Sequence, residues 1–498
     1  MDSGTGTGTD PGADTATDTT TDTGSDTESD TGMDSGTGTG TDTTTDTGAD
    51  TETDERCVPS HGCVVYVDGQ NADVLIQNGN SWETAYSTVQ DGIDAAFGLG
   101  IGAPCEVRLA QGTYLPTGHL EEESELEPGS VEEVRSRSVV LRSGVQLLGG
   151  YSANPNTPCQ RDIVNFPTVL SGDNQMDDSG GNTADNAYSV VWAKESGELN
   201  GLTVTGGHAD HSSADSYRTG GGLHIVPQVF VKIVDCRFTD NYASYKGGAV
   251  FTSWQSGYVS VRTTYENNSG GFGGAIYNEG DAAMLDNKAI VNNRFINNRA
   301  FTDGGAIFNQ EDSIVSITGT LFSQNLARNP VYEDTGRGGA ICNVTPESVT
   351  ITNCTIVSND AYLGGGIFNS GHGMVHIYNS ILWDNTQTVG FQLANSQSTP
   401  TIAYSIVQDG NLGPANDTDT LSGVEVSQED PMFADTELTL SEDSPAINNG
   451  HNDFLPADSW DLDTDSNTDE PLPWDVGGEI RIIDTDVDLG AFEFQGAD

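Results

Sequence analysis

The stretch GGAIYNEGDAAMLDNKAIVNNRFINNRAFTDGGAIFN, residues 273–309, predicts the fold. It begins with GGAIYN and ends with GGAIFN, so one six-letter phrase returns after 31 residues. Related phrases start at residues 220, 247, 338 and 364, and the successive spacings are 27, 26, 31, 34 and 26 residues. Repeats of about 20–50 residues indicate supersecondary units that stack on one another.

A second phrase alternates with the first. An aromatic or aliphatic residue is followed three positions later by asparagine, and this pattern keeps step with the glycine phrase through six copies. Two phrases in phase over six copies predict a repeated structural unit. We expect the asparagines to stack at one turn and to satisfy backbone groups between coils; they are Asn241, Asn268, Asn298, Asn325, Asn359 and Asn385.

The repeated unit is predicted to be all-β. Pairs such as Val231/Ile233 alternate upstream of the second phrase, which puts both members on one face of a strand. Three short strands and three turns per copy describe one coil of a parallel β-helix, a type of solenoid. Val259 and Val261 fall out of step and suggest a bulge. The residues expected to stack inside are Ile233, Ile290, Ile317, Ile351 and Ile377.

Composition divides the chain into four segments. Residues 1–56 are almost pure Thr, Asp, Gly and Ser, without an aromatic residue, Leu, Ile or Val, so we predict a disordered acidic stalk or linker. Residues 57–138 are predicted to form an N-terminal cap and the first coil, with a short helix capped by Ser87. Residues 139–410 are the β-helix repeats, and residues 411–498 are the last coils and a C-terminal segment.

The formal charge of −57 argues against nucleic acid and anionic membrane surfaces as partners. No stretch is apolar enough to span a bilayer, and no signal peptide is visible because Asp2 follows Met1 directly. Four cysteines in the first third of the chain have the spacing of a disulfide framework, which favours an oxidising compartment but leaves their pairing open; they are Cys57, Cys63, Cys105 and Cys159.

The pairing of GGA[ILV] with FxxN resembles the repeats of chlamydial polymorphic outer-membrane proteins. The wider resemblance is to bacterial right-handed parallel β-helix repeat proteins of the pectin-lyase-like fold. DPMF at 430–433, LSEDSPAINNG at 440–450 and DLGAFE at 488–493 resemble the C-terminal segment called choice-of-anchor Q. These resemblances imply a right-handed β-helix and a bacterial protein that is extracellular or on the cell surface.

An outward-facing column of aromatic residues is the first candidate site. These residues hold equivalent positions in the glycine phrase, in line with His224 and Cys342. Stacked aromatic rings on one face of a β-helix would hold sugar rings, and the alternative is packing beneath the long loops. The predicted ligand-binding residues are Phe251, Tyr277, Phe308 and Phe368.

An acidic loop near the C-terminus is the second candidate site. Oxygen-bearing residues alternate with others in DLDTDSNTDE, and hard oxygen ligands at this spacing suit Ca²⁺. The loop departs from the EF-hand pattern at Ser466 and Leu472, and the alternative is a solvated acidic loop. Calcium is the one cofactor considered, and its predicted ligands are Asp461, Asp463, Asp465, Asn467 and Asp469.

The sequence predicts no catalytic residue. Gly371-His372-Gly373 matches part of a polysaccharide hydrolase signature, but it lacks the nearby paired carboxylates, so a turn with an exposed histidine is expected. We predict a secreted or surface-displayed adhesin or polysaccharide-binding rod, whose partner is a polysaccharide or a surface component of a host or neighbouring cell. The alternatives are a polysaccharide lyase or glycoside hydrolase, and a structural surface component without a specific ligand.

Overall fold

The computed structural model describes residues 62–496, except residues 101–103, 121–125, 213, 281–286, 333, 390–391, 409–421 and 464. The predicted stalk at 1–56 lies outside the described residues, as does Cys57. Asp54–Asp498 forms one compact unit. Within its described part, the chain folds into short parallel strands, two α-helices and several turns of 3₁₀ helix.

The strands, numbered β1–β37 in chain order, form four rows. The first row contains β1 Cys63–Val67, β2 Cys105–Ala110, β5 Val145–Tyr151, β8 Gly197–Asn200, β12 Phe230–Val234, β16 Gly257–Val261, β20 Lys288–Val291, β24 Ile314–Thr318, β28 Ser348–Thr352, β32 Met374–Tyr378, β36 Thr401–Val407 and β37 Ser422–Ser427. The second row contains β3 Gly112–Tyr114, β6 Thr168–Ser171, β9 Thr203–Thr205, β13 Arg237–Thr239, β17 Thr264–Glu266, β21 Arg294–Ile296, β25 Leu321–Ser323, β29 Thr355–Val357 and β33 Ile381–Trp383.

The third row contains β10 His208–Ala209, β14 Tyr242–Lys246, β18 Ser269–Phe272, β22 Arg299–Ala300, β26 Leu326–Ala327, β30 Asp360–Leu363 and β34 Thr386–Val389. The fourth row contains β4 Val139–Leu141, β7 Val191–Ala193, β11 Leu223–Ile225, β15 Val250–Thr252, β19 Ile276–Asn278, β23 Ile307–Asn309, β27 Ile341–Val344, β31 Ile367–Ser370 and β35 Leu393–Ser396. Each strand pairs in parallel with the equivalent strand one coil further on, as β12 does with β16 and β16 with β20. The predicted parallel β-helix is therefore confirmed.

The predicted inward column lies inside the helix. Ile290 aligns with Ile317, and all five predicted isoleucines are fully buried. The predicted bulge at Val259 and Val261 is wrong, because the register runs from Tyr258 to Val261 without a shift and places Ser260 in the inward column. Val259 and Val261 point outward, and they are apolar because the C-terminal segment covers them through Leu472.

The N-terminal cap closes the first coil with a helix. Helix α1, Val89–Gly98, buries Val89, Ile93 and Ala96 as its apolar spacing predicts. Its N-cap is Thr88, one residue after the predicted Ser87, and the Thr88 side chain accepts a hydrogen bond from the Asp91 N–H. The remaining helices are α2 Val131–Ser136 and the 3₁₀ segments Gly69–Asp73, Trp82–Thr84, Asp178–Gly180, Asp215–Arg218 and Asn452–Phe454.

Disulfides strengthen this cap. Cys63 of β1 bonds to Cys105 of the adjacent strand β2, and Cys159 is also disulfide-bonded. The thiols further along the β-helix are free and buried, at Cys236, Cys342 and Cys354. The sequence left the pairing open, and the parallel pairing of β1 with β2 explains the partner of Cys63.

The predicted asparagine ladder is present. Side-chain amides join each asparagine from Asn241 to Asn385 to the next at 2.8–3.1 Å, and the Asn385 amide donates to Oε1 of Gln392. A second ladder runs along the fourth row at 2.7–3.0 Å. Its members are Asn278, Asn309, Asn343, Asn369 and Asn395, and the first four of them each end a glycine phrase.

The C-terminal segment returns along the outside of the β-helix. The Asn292 amide donates to the Trp474 carbonyl at 2.8 Å, and the Asn353 amide donates to the Asp488 carbonyl at 2.9 Å. The Ala491 N–H donates to the Thr355 hydroxyl at 2.9 Å. The acidic loop is therefore held against the middle coils. Among the described residues, no helix is both long and apolar enough to cross a bilayer.

Candidate functional site

The four predicted aromatic residues form one column. Phe251 pairs with Tyr277 and Tyr277 with Phe308, and Phe368 follows two coils later after Cys342. The rings of Tyr277 and Phe308 stack with centroids 5.1 Å apart. The register of the predicted column is therefore present in the structure.

This column is covered by other side chains. The four residues are only 2–6 % exposed and pack with Phe272 and Leu363 of the third row. The Lys246 ammonium lies 4.6 Å from the Tyr277 ring centroid, and Arg337 lies over Phe368 at 5.0 Å. Cations and third-row side chains therefore cover the outward face of the column, which favours packing over an open binding face. Whether these residues take part in ligand binding stays a prediction.

The same column reaches an open cavity at its N-terminal end. Trp192 precedes His224 in the fourth row, and their rings stack with centroids 3.9 Å apart. The cavity has a volume of about 540 Å³, and Trp192 meets the edge of Tyr217 there at 6.0 Å. Tyr217 in turn stacks on Tyr188 at 5.1 Å. Aromatic side chains therefore line one side of a concave surface.

Polar groups converge on the same cavity. The Glu132 carboxylate lies 2.9 Å from Nε2 of His211, and it also accepts a hydrogen bond from the Tyr188 hydroxyl at 3.0 Å. Nδ1 of His211 accepts the Ala214 N–H at 2.8 Å, which makes Nε2 the protonated nitrogen of the neutral ring. Lys194 adds a cationic side chain to the lining. An aromatic wall with a few oriented polar groups is typical of a ligand site.

The sequence reasoning missed this cavity. Trp192 lies in strand β7, within VVWA, where the glycine pair of the six repeated phrases is absent. Aligning the strand through its β-register instead of the glycine phrase would have placed Trp192 at the head of the predicted column. The other lining residues come from α2 and the segment before it, from the loop after β10, and from the positions directly after β7 and β11, which lie far apart in sequence.

The acidic loop brings only part of the predicted ligand set together. One carboxylate oxygen each of Asp461, Asp463 and Asp465 lies within 4.8 Å of the others. Asp469 belongs to neither of the acidic groups found in the loop, and the Asn467 amide donates to the Glu470 carboxylate at 2.9 Å. Three of the predicted ligands therefore converge, and calcium binding by the full predicted set stays a prediction.

Two acidic residues outside the predicted set also lie close to Asp463 in this loop. Asp458 and Glu470 share a second group with Asp463, because the backbone N–H of Asp458 donates to the carbonyl of Glu470. Asp458 is fully buried, and its Oδ1 meets no hydrogen-bond donor in the described part of the chain. Burial, then the neighbouring Asp463 and Asp461, raises the pKa of Asp458. These oxygens are hard ligands and fit a calcium ion.

The remaining candidate for catalysis is a turn. Gly371 has φ +82° and His372 is exposed at a bend before β32, as the sequence predicts. Near the cavity, His208 lies beside Asp210, whereas His211 contacts Glu132. Among the described residues, Gly371-His372-Gly373 therefore does not lie at a cluster of acids.

Comparison with known proteins supports the repeat assignment. The repeat model of the Chlamydia polymorphic membrane protein family matches residues 235–253, which span β13, β14 and β15. The match confirms that a coil of this chain resembles those repeats. No curated protein matches the chain.

Several solved β-rich structures are similar to the chain at low sequence identity. A pectate lyase, Pel9A, shares 12 % identity with a TM-score of 0.42, covering 87 % of this chain and 96 % of its own. A rhamnogalacturonan lyase shares 14 % identity with a TM-score of 0.41, covering 74 % and 87 %. PfbA, a surface adhesin of Streptococcus pneumoniae, shares 12 % identity with a TM-score of 0.34, covering 73 % and 89 %.

Proposed function

We propose that this protein is a secreted or surface-displayed β-helix that binds neutral polysaccharide in the cavity beside Trp192 and Tyr217. The observation that carries the proposal is the meeting of these two aromatic rings with Glu132, His211 and Lys194 around about 540 Å³ of open space. Sugar rings offer apolar faces and hydroxyl edges, and this lining supplies both kinds of contact.

The charge of the protein supports a neutral ligand. The formal charge is −57, so an acidic polysaccharide is repelled at long range by most of the molecule. Lys194 and Glu132 both line the cavity, so its lining holds one cationic and one anionic side chain. A neutral chain therefore meets hydrogen-bonding groups without a net electrostatic penalty.

The predicted aromatic column has an indirect part in this proposal. His224 packs against Trp192 on one side, and its ring centroid lies 5.0 Å from that of Phe251 on the other. Phe251 continues into Tyr277, Phe308 and Phe368. We assign these residues the role of a packed support that fixes the ring plane of Trp192.

The bond between Cys63 and Cys105 supports an extracellular location, because disulfides persist in oxidising compartments. The acidic surface agrees with a protein that stays soluble outside the cell. The proposal also includes a calcium ion in the loop from Asp458 to Glu470, where carboxylate oxygens converge against the middle coils. There the ion would stabilise the C-terminal segment.

The test is affinity electrophoresis of the full chain in gels that contain neutral or acidic polysaccharides. We expect retention by at least one neutral polysaccharide, and a loss of affinity of about tenfold or more for Tyr217→Ala, since aromatic contacts dominate such sites. Tyr332→Ala, at an exposed position in another loop, is the matched control and should bind like wild type.

The same samples are assayed for new reducing ends. New ends in the wild type would replace the binding function with an enzymatic one. Absence of retention on every neutral polysaccharide, or equal retention of Tyr217→Ala and wild type, would overturn the proposed cavity. A structural surface component is the reading that would then remain.

A further inference from the structure

A loop of four aspartates lies outside both predicted sites. It follows β6 and contains Asp173, Asp177, Asp178 and Asp185. One carboxylate oxygen each of Asp173, Asp177 and Asp185 lies within 4.8 Å of the others. Calcium–oxygen distances are about 2.3–2.6 Å, so oxygens on opposite sides of one ion lie about this far apart.

In three of these four carboxylates, one oxygen accepts a hydrogen bond from a loop side chain and the other oxygen accepts none. The Asn182 amide donates to Oδ2 of Asp177 at 2.8 Å and to Oδ1 of Asp185 at 3.2 Å. The Asn186 amide donates to Oδ2 of Asp178 at 2.9 Å. The remaining oxygens, Oδ1 of Asp177, Oδ1 of Asp178 and Oδ2 of Asp185, are buried and accept no hydrogen bond within the described residues.

Asp185 gives the strongest sign of a missing ligand. Its side chain is 6 % exposed, yet Oδ2 has no donor. A buried carboxylate oxygen without a partner is strongly destabilising, so proteins pair it or use it to coordinate a metal. Elsewhere in this chain the buried Asp303 follows that rule, because both of its oxygens accept hydrogen bonds from Arg337 at 2.7–3.0 Å.

No cationic side chain takes this role in the aspartate loop. Within the described ranges, none of the four acids forms an ion pair with Lys, Arg or His, although 15 such pairs occur elsewhere. The loop therefore concentrates negative charge that nothing in the described protein balances.

The position of the loop explains what an ion there would do. The loop precedes the first strand of the third row, β10, whose His208 N–H donates to the Ala187 carbonyl at 2.7 Å. The Asn186 amide also donates to the Gly206 carbonyl at 2.8 Å. The loop thus covers the open end of the third row, where unpaired strand edges otherwise invite association.

We infer that Asp173, Asp177 and Asp185 bind a divalent cation of the calcium class, with Asp178 beside them. Carboxylates that supply only oxygen favour Ca²⁺ or Mg²⁺ over metals that prefer nitrogen or sulfur. Ca²⁺ accepts six to eight oxygen ligands in flexible geometry, whereas Mg²⁺ demands a near-ideal octahedron, so carboxylates gathered by an irregular loop favour Ca²⁺. The ion ties the loop over the first strand of the third row, and this role is independent of polysaccharide binding.

The test is calorimetric titration of the metal-stripped full chain with CaCl₂ and separately with MgCl₂. We expect Asp185→Asn to bind one calcium ion fewer per chain than wild type. Asp458→Asn, in the C-terminal loop, reports on that separate site, and the double variant should lose both. Asp443→Asn, at an exposed acid, is the matched control and should bind as wild type does.

Thermal unfolding gives a second readout, because the difference in melting temperature between Asp185→Asn and wild type should change sign when calcium is added. In EDTA, Asp185→Asn should melt at or above the temperature of wild type, because the amide removes one repelling charge. In CaCl₂, wild type should melt at the higher temperature, because the ion stabilises only the native chain. If Asp185→Asn does not fold, the half-buried Asp177→Asn takes its place in both measurements.

Equal calcium stoichiometry in wild type and the variant would overturn the inference. So would a variant that is destabilised equally with and without calcium, since that result indicates a purely structural aspartate. A stronger response to Mg²⁺ than to Ca²⁺ would overturn the calcium class.

Discussion

At the scale of single residues, buried asparagine amides connect the coils. The Asn298 amide donates to Oδ1 of Asn325 at 3.0 Å, and its own Oδ1 accepts from the amide and the N–H of Asn268. It also donates to the Tyr265 carbonyl at 2.9 Å. One side chain therefore satisfies groups in three successive coils, which explains why the phrase keeps asparagine at this position.

Asn298→Ala should destabilise the protein by about 1–3 kcal/mol, because it leaves buried donors and acceptors without partners. The measurement is equilibrium urea unfolding followed by circular dichroism. Asn80→Ala, at an exposed position near the N-terminus, is the control and should change the free energy of unfolding by less than about 0.5 kcal/mol. Equal values for the two variants would show that the ladder adds no net stability.

Residue identity also shows how far the sequence predicts this structure. The asparagine ladder and the inward isoleucines were predictable, because equivalent positions of the repeats are buried in the same way in successive coils. The covering of Phe251 and Tyr277 by Lys246 was not predictable. Lys246 reaches these rings from the third row, and the spacing of the repeats in the sequence does not show where that row lies. Val259 and Val261 were misread because their covering residue, Leu472, lies about two hundred positions away.

At the scale of elements, the C-terminal segment is held by buried charged groups. Oε2 of Glu493 accepts the Asp488 N–H at 3.1 Å, and the fully buried Arg481 donates to the carbonyls of Gly490 and Ala491. Burial, then the neighbouring Asp488, raises the pKa of Glu493 to about 8. The native segment therefore holds a proton that the unfolded chain releases near pH 4.5.

The sign of the pH dependence follows from this difference. Because native Glu493 binds its proton more tightly than the unfolded chain does, its contribution to stability is present below pH 4.5 and is lost as pH rises through about 8. Glu493→Gln should match wild type at low pH and exceed it by a few kcal/mol at pH 9, since one pKa unit corresponds to about 1.4 kcal/mol.

Thermal unfolding of both proteins between pH 5 and pH 9 measures this effect. Glu442→Gln, at an exposed position of the same segment, is the control and should follow the wild-type profile. Parallel profiles for wild type and Glu493→Gln would contradict the raised pKa.

The two acidic loops show the limit of prediction at this scale. Alternating oxygen ligands at 461–469 identified the C-terminal loop, but the antiparallel bridge between Ala457 and Pro471 brought in Asp458 and Glu470, which the spacing does not reveal. The aspartate loop at 173–185 has no regular spacing, and its carboxylates meet because Asp173 accepts the N–H groups of Asp177 and Asp178. Local sequence patterns therefore predict some of the acidic residues, whereas the fold of the backbone determines which acidic residues lie close together.

At the scale of the whole molecule, charge opposes compactness. With 75 acidic and 18 basic residues, the folded chain concentrates like charges that the unfolded chain separates. Raising NaCl from 10 to 150 mM shortens the Debye length from about 30 to 8 Å, so it should raise the melting temperature by several degrees in EDTA.

Polysaccharide binding should respond to salt differently from the melting temperature, so the two measurements are compared in the same samples. Binding of a neutral chain in the cavity depends on ring contacts and hydrogen bonds, so its affinity should change little over the same range of salt. Stability and binding are then separable in one set of samples. A melting temperature that stays constant or falls as NaCl rises would show that the dispersed ion pairs, such as Arg262 with Asp235 and Arg328 with Asp360, already neutralise the local fields.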